Sequence, residues 1–288
     1  MSIWIHEHIL RHPEEVWASH RYCIFCTEKL ELLHSEYDPP RDRDESGIQK
    51  YLFVCSVCGR WKADGRQRSD ATWTGNLQDL YEKTAEIEIT YGAVASLREL
   101  DLADVSMPIS EVRSYLAAKY EKRFSLHPKI FEETVASVFR DLGYKAVVTA
   151  YSCDDGIDII LDRGGEVVGV QVKRYKNSIE VEQVRSLVGA LILEGMTRGM
   201  FVTTSTFQRG VEGTANRLRT RGYPIELIDA RRFFDALKLA QRASYRSFVD
   251  FPIQDCLKYL VRVHERETPV EPDFGANALV PMPADPQW

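Results

Sequence analysis

Two short runs near the middle of the chain, residues 158–161 and 167–171, consist mostly of apolar residues. Both runs are rich in β-branched side chains, which is typical of half-buried strands. Gly164 and Gly165 lie between them. A two-residue hairpin turn needs a positive φ, which glycine adopts readily. The pattern therefore predicts a β-hairpin.

The register of this hairpin places three polar side chains together. If Arg163 pairs with Glu166, Asp158 lies directly opposite Gln171, and Lys173 follows two residues later on the same face. The other face is then a continuous apolar surface, formed by Ile157, Ile159, Leu161, Val168, Val170 and Val172. A carboxylate, an amide and a lysine at one sheet edge could hold a divalent cation and a water beside a phosphodiester.

A helix is predicted before the hairpin, from Pro128 in its first turn to Gly143 just after its end. Its buried stripe is marked by apolar residues at helical spacing, which are Phe131, Val135, Val138, Phe139 and Leu142. Glu132 borders this stripe, whereas Glu133 lies on the outer side. Glu132 is therefore the better candidate to reach a site on the sheet.

Four cysteines near the N-terminus form two C-x₂-C pairs, Cys23 with Cys26 and Cys55 with Cys58. Each pair suits two corners of a tetrahedral Zn²⁺ site, and four thiolates leave no coordination position open, so the site would be structural. Disulfides are the alternative. A chain without an export signal is expected in a reducing compartment, which favours zinc. We therefore predict a zinc ribbon.

The net charge of -6 does not by itself indicate nucleic-acid binding. A local basic face is sufficient, however, because affinity for phosphates depends on where the charge lies. The candidates are Lys173, Arg174, Lys176, Arg209, Arg217, Arg219 and Arg221. For the arginines near 217–221, a solvated helix face is an equally good interpretation.

The chain has no apolar run near the roughly 18 residues of a membrane helix. Its first residues lack the basic start and apolar core of a signal peptide. We therefore expect a cytoplasmic protein. At 288 residues it is long enough for about two domains.

Five segments occur together in a family order: Phe131-Glu132, Leu142-Gly143-Tyr144, Asp155-Gly156-Ile157-Asp158, Gln171-Val172-Lys173-Arg174-Tyr175 and Val202-Thr203-Thr204-Ser205-Thr206-Phe207. They resemble the catalytic domain of the Mrr-like restriction endonucleases, a branch of the PD-(D/E)xK nuclease superfamily, over roughly residues 125–237. The resemblance implies an α/β fold, with a restriction-endonuclease-like mixed sheet flanked by helices. The small zinc-ribbon domain would precede it.

The same resemblance implies roles for four residues. Glu132 and Asp158 would bind Mg²⁺, and Gln171 would be the glutamine of the Q-x-K element. Lys173 would position or activate the attacking water. The wider superfamily usually has an acid in place of this glutamine, but this branch shares it. The substrate is not implied, because relatives cut modified DNA, junctions or ordinary duplex.

Other polar residues near the predicted site have two interpretations each. Residues 203–205 could contact phosphate oxygens, or Ser205 or Thr206 could cap a helix. Residues 154–155 are expected to form a turn rather than bind metal, since aspartate stabilises turns locally. Gln183, one turn from the hairpin, is a weak candidate for a supporting role.

The chain divides into five predicted segments. They are a zinc-ribbon-containing domain (residues 1–95), a helical linker (96–124), the Mrr-like nuclease domain (125–240), a C-terminal helical segment (241–267) and a proline-rich tail (268–288). Trp61 and Trp73 are expected to pack the small first domain rather than stack on bases.

Three functions remain compatible with the sequence. The first is a metal-dependent endonuclease that hydrolyses DNA in a restriction or defence role. The second is a nucleic-acid-binding protein without cleavage activity, although the presence of Glu132, Asp158 and Lys173 argues against a decayed site. In the third, the ribbon docks a protein partner, which weak charge between the cysteine pairs slightly favours. Cutting both strands with one site per chain would favour a homodimer.

Overall fold

The computed structural model describes residues 3–6, 21–41, 46–74, 82–149, 156–244 and 251–270. Its strands are β1 (Trp4–His6), β2 (Leu30–Asp38), β3 (Ile48–Cys55), β4 (Trp61–Thr74), β5 (Glu82–Leu97), β6 (Lys145–Val148), β7 (Ile159–Arg163), β8 (Glu166–Lys173), β9 (Gly199–Thr203), β10 (Ile225–Ile228) and β11 (Val261–Val270). Its α-helices are α1 (Ile109–Ala118), α2 (Pro128–Asp141), α3 (Val181–Leu193), α4 (Val211–Arg219), α5 (Ala230–Ser244) and α6 (Ile253–Leu257). A 3₁₀ helix (Tyr120–Ser125) joins α1 to α2.

The first sheet is antiparallel and has the order β1-β5-β4-β3-β2. The long strand β5 pairs with β1 near its end, at residues 95–97, and with β11 along residues 84–92. One face of this sheet is apolar near the cysteines, where Leu52, Val54, Trp61 and Ala63 are buried. Trp61 stacks on Tyr259, which follows α6.

The second sheet is mixed and has the order β10-β9-β8-β7-β6. Strands β6, β7 and β8 are antiparallel neighbours, whereas β8, β9 and β10 are parallel. Helix α3 connects β8 to β9, and α4 connects β9 to β10. Such crossovers cover a sheet with helices. The structure therefore confirms the predicted α/β class with a mixed sheet flanked by helices.

The β7–β8 hairpin has the predicted register. Arg163 pairs with Glu166, and Ile159 pairs with Val170. Gly164 and Gly165 both have positive φ, 65° and 85°, as a tight hairpin turn requires. The sequence pattern sets this register because a slip by one residue would move every apolar side chain to the opposite face.

The predicted apolar face is wrong at one residue. Ile159, Leu161, Val170 and Val172 share one buried cluster, but Ile157 belongs to a second cluster with residues of α3 and α4. The alternation ends there because β7 begins only at Ile159. The chain just before it turns at Gly156, whose φ is 78°.

Two glycines let α3 approach the second sheet closely. Gly169 of β8 and Gly199 of β9 are direct neighbours in the sheet. A Cβ atom on either glycine would lie 2.6 Å from a methyl carbon of Leu191 in α3. Real Cβ contacts are not that short, so glycine at both positions makes room for the buried leucine. Helix α3 thereby covers the face of the second sheet that lies opposite α2.

The helix predicted over residues 241–267 is wrong in its second half. Helix α5 ends at Ser244 and the short α6 spans Ile253–Leu257, but residues 261–270 form β11. Valines alternate with charged residues at the start of β11, and the free edge of β5 supplies hydrogen-bonding partners. The strand also takes in residues 268–270 of the predicted tail, while residues 271–288 lie outside the described residues.

One buried core joins the first sheet to the second sheet and its helices. Its members include the four cysteines of the two C-x₂-C pairs, Leu116 of α1, Phe131 of α2, Val170 of β8 and Phe233 of α5. The predicted boundaries at residues 95 and 124 stay predictions, but no gap in hydrophobic packing accompanies them among the described residues.

The C-terminal end of α5 contacts residues next to both cysteine pairs. The Gln241 side chain, which is buried, donates to the backbone oxygen of Val57 (3.2 Å) and to the hydroxyl of Ser114 in α1 (3.2 Å). Lys238 and Arg242 both form ion pairs with Glu28, just beyond the first pair of cysteines. Within the described ranges, no helix combines the length and apolarity needed to cross a bilayer.

The shared core predicts that the whole chain unfolds in one step. Trp4 and Trp61 are buried in the first sheet, whereas the described helices all follow residue 108. In a variant with the other three tryptophans replaced by phenylalanine, tryptophan fluorescence therefore reports on the first sheet, and far-UV circular dichroism at 222 nm mainly on the helices around the second. We expect the two urea-unfolding curves to coincide. Two separated midpoints would show that the core does not couple the two sheets.

Candidate active site and metal centre

Asp158 lies where the regular pairing of β7 with β8 ends. Its backbone N–H donates to Val170 (2.8 Å), and its Oδ2 accepts a hydrogen bond from the backbone N–H of Val172 (2.6 Å). Thr149 donates to the backbone oxygen of Asp158 from its N–H (3.0 Å) and from its hydroxyl (3.1 Å). The carboxylate thus accepts from β8 a hydrogen bond of the kind that a backbone oxygen accepts within a sheet. This contact holds the Asp158 side chain against β8.

Three predicted charged residues come together at this point. Burial and the nearby Asp158 raise the pKa of Glu132 to about 7, while the Lys173 ammonium opposes the shift. Burial also raises the pKa of Asp158, against the Val172 hydrogen bond and Lys173. Such electrostatic effects require short separations. Glu132 of α2 therefore lies close to Asp158 and to the end of β8. Two carboxylates that resist ionisation make a site that gains from a bound cation.

Gln171 is buried in the same strand, two residues before Lys173. Its Oε1 is buried without a hydrogen-bond partner in the described part of the chain. Its Nε2 lies close to Gly156, where an added Cβ would be 3.3 Å away. An unpartnered buried amide oxygen is costly, so this atom is suited to accept a ligand or to coordinate a cation.

The hydroxyls of residues 203–205 are engaged within the protein. They donate to the segment after β8: Thr203 to the backbone oxygen of Lys173 (2.9 Å), Thr204 to that of Tyr175 (2.9 Å) and Ser205 to that of Lys176 (3.1 Å). All three side chains are buried. The predicted phosphate contacts are therefore wrong. These hydroxyls instead fix the backbone that carries Lys173.

The capping alternative at this position is also wrong. Helix α4 begins at Val211, and Gly210 occupies its N-cap. Ser205 and Thr206 are too far from that end. Gln183, the weak supporting candidate, accepts a hydrogen bond from the backbone N–H of Glu180 (2.9 Å) and completes a capping box at the start of α3. Residues 154–155 lie outside the described residues.

The basic candidates separate into two groups. Lys176, Arg209, Arg217, Arg219 and Arg221 are exposed and stay candidates for phosphate contact. Arg174 is partly buried and donates through Nη1 to the backbone oxygen of Phe124 (2.8 Å). It is thus part of the framework behind the site. The sequence carries no signal for this contact, because the two residues lie far apart along the chain.

The four predicted cysteines form one buried cluster in which all Sγ atoms lie within 4.8 Å of one another. Three of the Sγ–Sγ distances are 3.5, 3.4 and 3.7 Å. A Zn–S bond of about 2.3 Å in a tetrahedron corresponds to a sulfur separation of about 3.8 Å. A disulfide would need about 2.05 Å. The thiols are free, and their geometry fits a tetrahedral metal.

The two C-x₂-C segments have the same backbone turn. The residue after the second cysteine donates its N–H to the oxygen of the first: Thr27 to Cys23 and Gly59 to Cys55, both at 2.9 Å. Both of these residues have positive φ, 61° and 80°. Glycine tolerates this conformation, but a β-branched threonine is strained in it. Two equivalent turns therefore present two thiols each.

Arg60, which no sequence pattern indicates, lies beside the cysteines. Its side chain is buried, and its Nε and Nη1 have no hydrogen-bond partner among the described residues. Burial lowers the pKa of Arg60, while the four cysteines raise it. Four thiolates on one Zn²⁺ carry a net charge of about −2. A buried guanidinium next to them offsets part of that charge, which supports the fit to zinc.

Comparison with known proteins adds to the geometry. Residues 124–237 match the family model of the Mrr catalytic domain, which is described as a restriction endonuclease. The chain contains an Mrr-like restriction endonuclease domain. The type IV methyl-directed restriction enzyme EcoKMrr of Escherichia coli (strain K12) is 34% identical over 108 residues, which cover 34% of this chain and 36% of that enzyme.

The match to the Mrr-like family is confined to one part of the molecule. The chain spans only 36% of the length of the E. coli enzyme. Strands β1 to β5, α1 and the cysteine cluster precede residue 124, while α6 and β11 follow residue 237, so all of them lie outside the family match. The matched segment begins at the end of the 3₁₀ helix and ends within α5, so it contains the second sheet and all four predicted active-site residues.

The cysteine cluster predicts one structural zinc ion per chain. We expect Cys55→Ser to lose the metal and to lower the stability of the whole chain by several kcal/mol, at least roughly 3, since zinc binding supplies folding energy. Cys256→Ser is the matched control: Cys256 is equally buried, lies outside the cluster, and has a pKa that burial raises to about 12. Metal analysis by mass spectrometry checks both. Retention of one zinc by Cys55→Ser would contradict the assignment.

The raised pKa of Glu132 predicts a stability that depends on pH. Between its ordinary value of 4.5 and about 7, the folded protein holds a proton that the unfolded chain releases. The stability of the metal-free protein therefore falls as the pH rises through this window and stays reduced above it. Glu132→Gln removes this cost. We expect the variant to be more stable by about 1 kcal/mol at about pH 8, after discounting for the solvent that reaches this half-buried group.

Near pH 4 this stability difference should vanish, because Glu132 is then protonated in both states. Urea unfolding in the presence of a chelator of divalent cations measures the difference at each pH. An equal difference at both pH values would show that the pKa of Glu132 is not raised in the folded protein.

Proposed function

We propose that this protein is a Mg²⁺-dependent endonuclease that hydrolyses phosphodiester bonds in DNA, in a restriction or defence role. The observation that carries the proposal is the meeting of Glu132, Asp158 and Lys173 at one end of β8, inside an Mrr-like domain. An intact set of two acids and a lysine opposes the alternative of a nuclease fold kept only for binding.

The donor set fits a hard cation that prefers oxygen ligands. Glu132 and Asp158 would hold Mg²⁺, and the unpartnered Oε1 of Gln171 offers a neutral third oxygen. When bound, the ion would lower the pKa of a coordinated water and neutralise charge that develops on the phosphate. Gln171 would keep the site less negative than three carboxylates would, which supports a single-metal arrangement.

Lys173 would position the attacking water and stabilise charge on the phosphate. Its backbone oxygen accepts hydrogen bonds from the Thr203 hydroxyl (2.9 Å) and the Thr204 N–H (3.2 Å), so the strand end that carries the ammonium is fixed. Lysine can serve as a donor or, when partly desolvated, as a base. The same side chain counteracts the repulsion between the two carboxylates in the metal-free site.

The cysteine cluster would hold a structural Zn²⁺ and leave substrate selection to the surfaces around it. The E. coli relative is named as methyl-directed, but the residues shared with its family lie in the catalytic domain. We therefore propose DNA as the substrate class without a preferred modification. A docked protein partner and a homodimer stay predictions from the sequence.

Cleavage of plasmid DNA with Mg²⁺, compared with the same reaction in a chelator, tests the proposal. We expect Asp158→Asn and Lys173→Ala each to lower the cleavage rate by at least roughly 100-fold, because one removes a metal ligand and the other a water-positioning cation. Asparagine can still accept the hydrogen bond from Val172, so the Asp158 variant should fold normally.

Two neighbouring substitutions serve as controls. Asp162→Asn changes an acid of β7 whose Oδ1 accepts from the backbone N–H of Gly165 in the hairpin turn (3.0 Å). Lys145→Ala changes an exposed lysine at the start of β6, which pairs with Asp162. Both should cleave at rates close to that of the wild type. Full activity of Asp158→Asn on methylated and unmethylated plasmid would exclude the proposed site.

A further inference from the structure

Two arginines tie the 3₁₀ helix Tyr120–Ser125 to the strand ends at the proposed active site. Arg174, the residue after Lys173, donates through Nη1 to the backbone oxygen of Phe124 in the 3₁₀ helix (2.8 Å). In the opposite direction, Arg123 of the 3₁₀ helix donates through Nε to the backbone oxygen of Thr204, at the end of β9 (3.0 Å). The 3₁₀ helix and the strand ends thus each donate one guanidinium hydrogen bond to the backbone of the other.

A third link closes these contacts into a ring. The N–H of Thr204 (3.2 Å) and the hydroxyl of Thr203 (2.9 Å) both donate to the backbone oxygen of Lys173, which precedes Arg174. The ring therefore runs from the 3₁₀ helix to the end of β8, on to the end of β9, and back to the 3₁₀ helix. Every hydrogen bond in it ends on a backbone oxygen, so the ring fixes main chain rather than flexible side chains.

Arg123 has little freedom within this ring. Its guanidinium lies 4.0 Å from the centre of the Tyr120 ring and 4.0 Å from that of the Phe124 ring. Its Nη1 also donates to the backbone oxygen of Tyr120 (3.2 Å). A planar guanidinium can stack on aromatic rings and donate from its edge at the same time, which a lysine ammonium cannot do.

The segment fixed by the ring leads directly into the helix that carries Glu132. Leu126 is buried just after the 3₁₀ helix, and the N–H of His127 donates to the backbone oxygen of Leu102 (2.8 Å). Helix α2 begins at Pro128, so Glu132 lies in its second turn. The ring therefore connects the start of α2 to the strand end that carries Lys173.

We propose that Arg123 and Arg174 are positioning residues of the metal site: they hold α2 so that Glu132 faces Asp158 across β8. This inference rests on the proposed function. It also reassigns Arg174, because its Nη1 is engaged with the 3₁₀ helix and its Nε is buried. Arg174 is thus unavailable as a phosphate contact through these two groups.

Binding of Mn²⁺ to the whole chain in the absence of DNA tests the proposal, with isothermal titration calorimetry as the readout. We expect Arg174→Gln to weaken Mn²⁺ binding by roughly tenfold, the lower end of the effect of changing a residue that supports a metal ligand. The effect should shrink or disappear on a Glu132→Gln background, because the ring acts through that carboxylate. Duplex DNA binding in a chelator should stay unchanged.

The matched control is Arg140→Gln. Arg140 also donates through Nε to a backbone oxygen, that of Ala146 (3.1 Å), but at the far end of α2. This variant should bind Mn²⁺ like the wild type. If Arg174→Gln fails to fold, as judged by circular dichroism, Arg123→Lys replaces it, since lysine keeps the charge but cannot form the stacked contact. The same tenfold loss is expected.

The outcomes separate the two proposals. If the wild type binds no Mn²⁺, or if Asp158→Ala binds as well as the wild type, the proposed metal site is wrong. If Asp158→Ala loses the ion while Arg174→Gln binds normally, the metal site stands and the positioning role is overturned. An equal loss with and without Glu132 would also overturn it, because the ring would then act on something other than this ligand.

Discussion

The hydrogen bond from the Val172 N–H to the Asp158 carboxylate is the contact on which the proposed site depends. It holds an acid at the point where β7 stops pairing with β8, and burial there raises its pKa. A carboxylate in that position repels Glu132 and attracts Lys173. The position of Asp158 at the end of the hairpin thus determines the electrostatic interactions among Asp158, Glu132 and Lys173. Without a cation, the negative charge of the two carboxylates is incompletely neutralised. This is the property that the proposed metal site requires.

Local patterns were predictable from the sequence, and long-range contacts were not. The hairpin register follows from alternation and the two glycines, and the four cysteines come together as their spacing predicts. In contrast, β11 forms because the edge of β5 is available to pair with it, which residues 261–270 do not encode alone. Two hydrogen bonds also depend on segments that are distant in the chain. They join the Thr203 hydroxyl to Lys173 and the Arg174 guanidinium to Phe124. The proposed roles of Glu132, Asp158, Gln171 and Lys173 remain predictions.

The cysteine cluster belongs to the same buried core as helices and strands of the matched domain. Gln241 and the ion pairs to Glu28 attach both cysteine pairs to α5, whose Phe233 contacts Phe131 next to Glu132. Packed side chains thus link the cysteine cluster to the helix that carries Glu132. The cysteine end of these contacts lies outside the family match, which begins at residue 124.

The pairing of β5 with β11 has a consequence for biosynthesis. β11 is made only after the whole second sheet, so a nascent chain leaves residues 84–92 as an unsatisfied edge while the catalytic domain emerges. Open strand edges recruit other strands, and topologies with such distant partners fold slowly. Until β11 is made, this edge of β5 is therefore exposed to pairing with other chains. Pairing with β11 satisfies it, and β11 then forms the edge among the described strands.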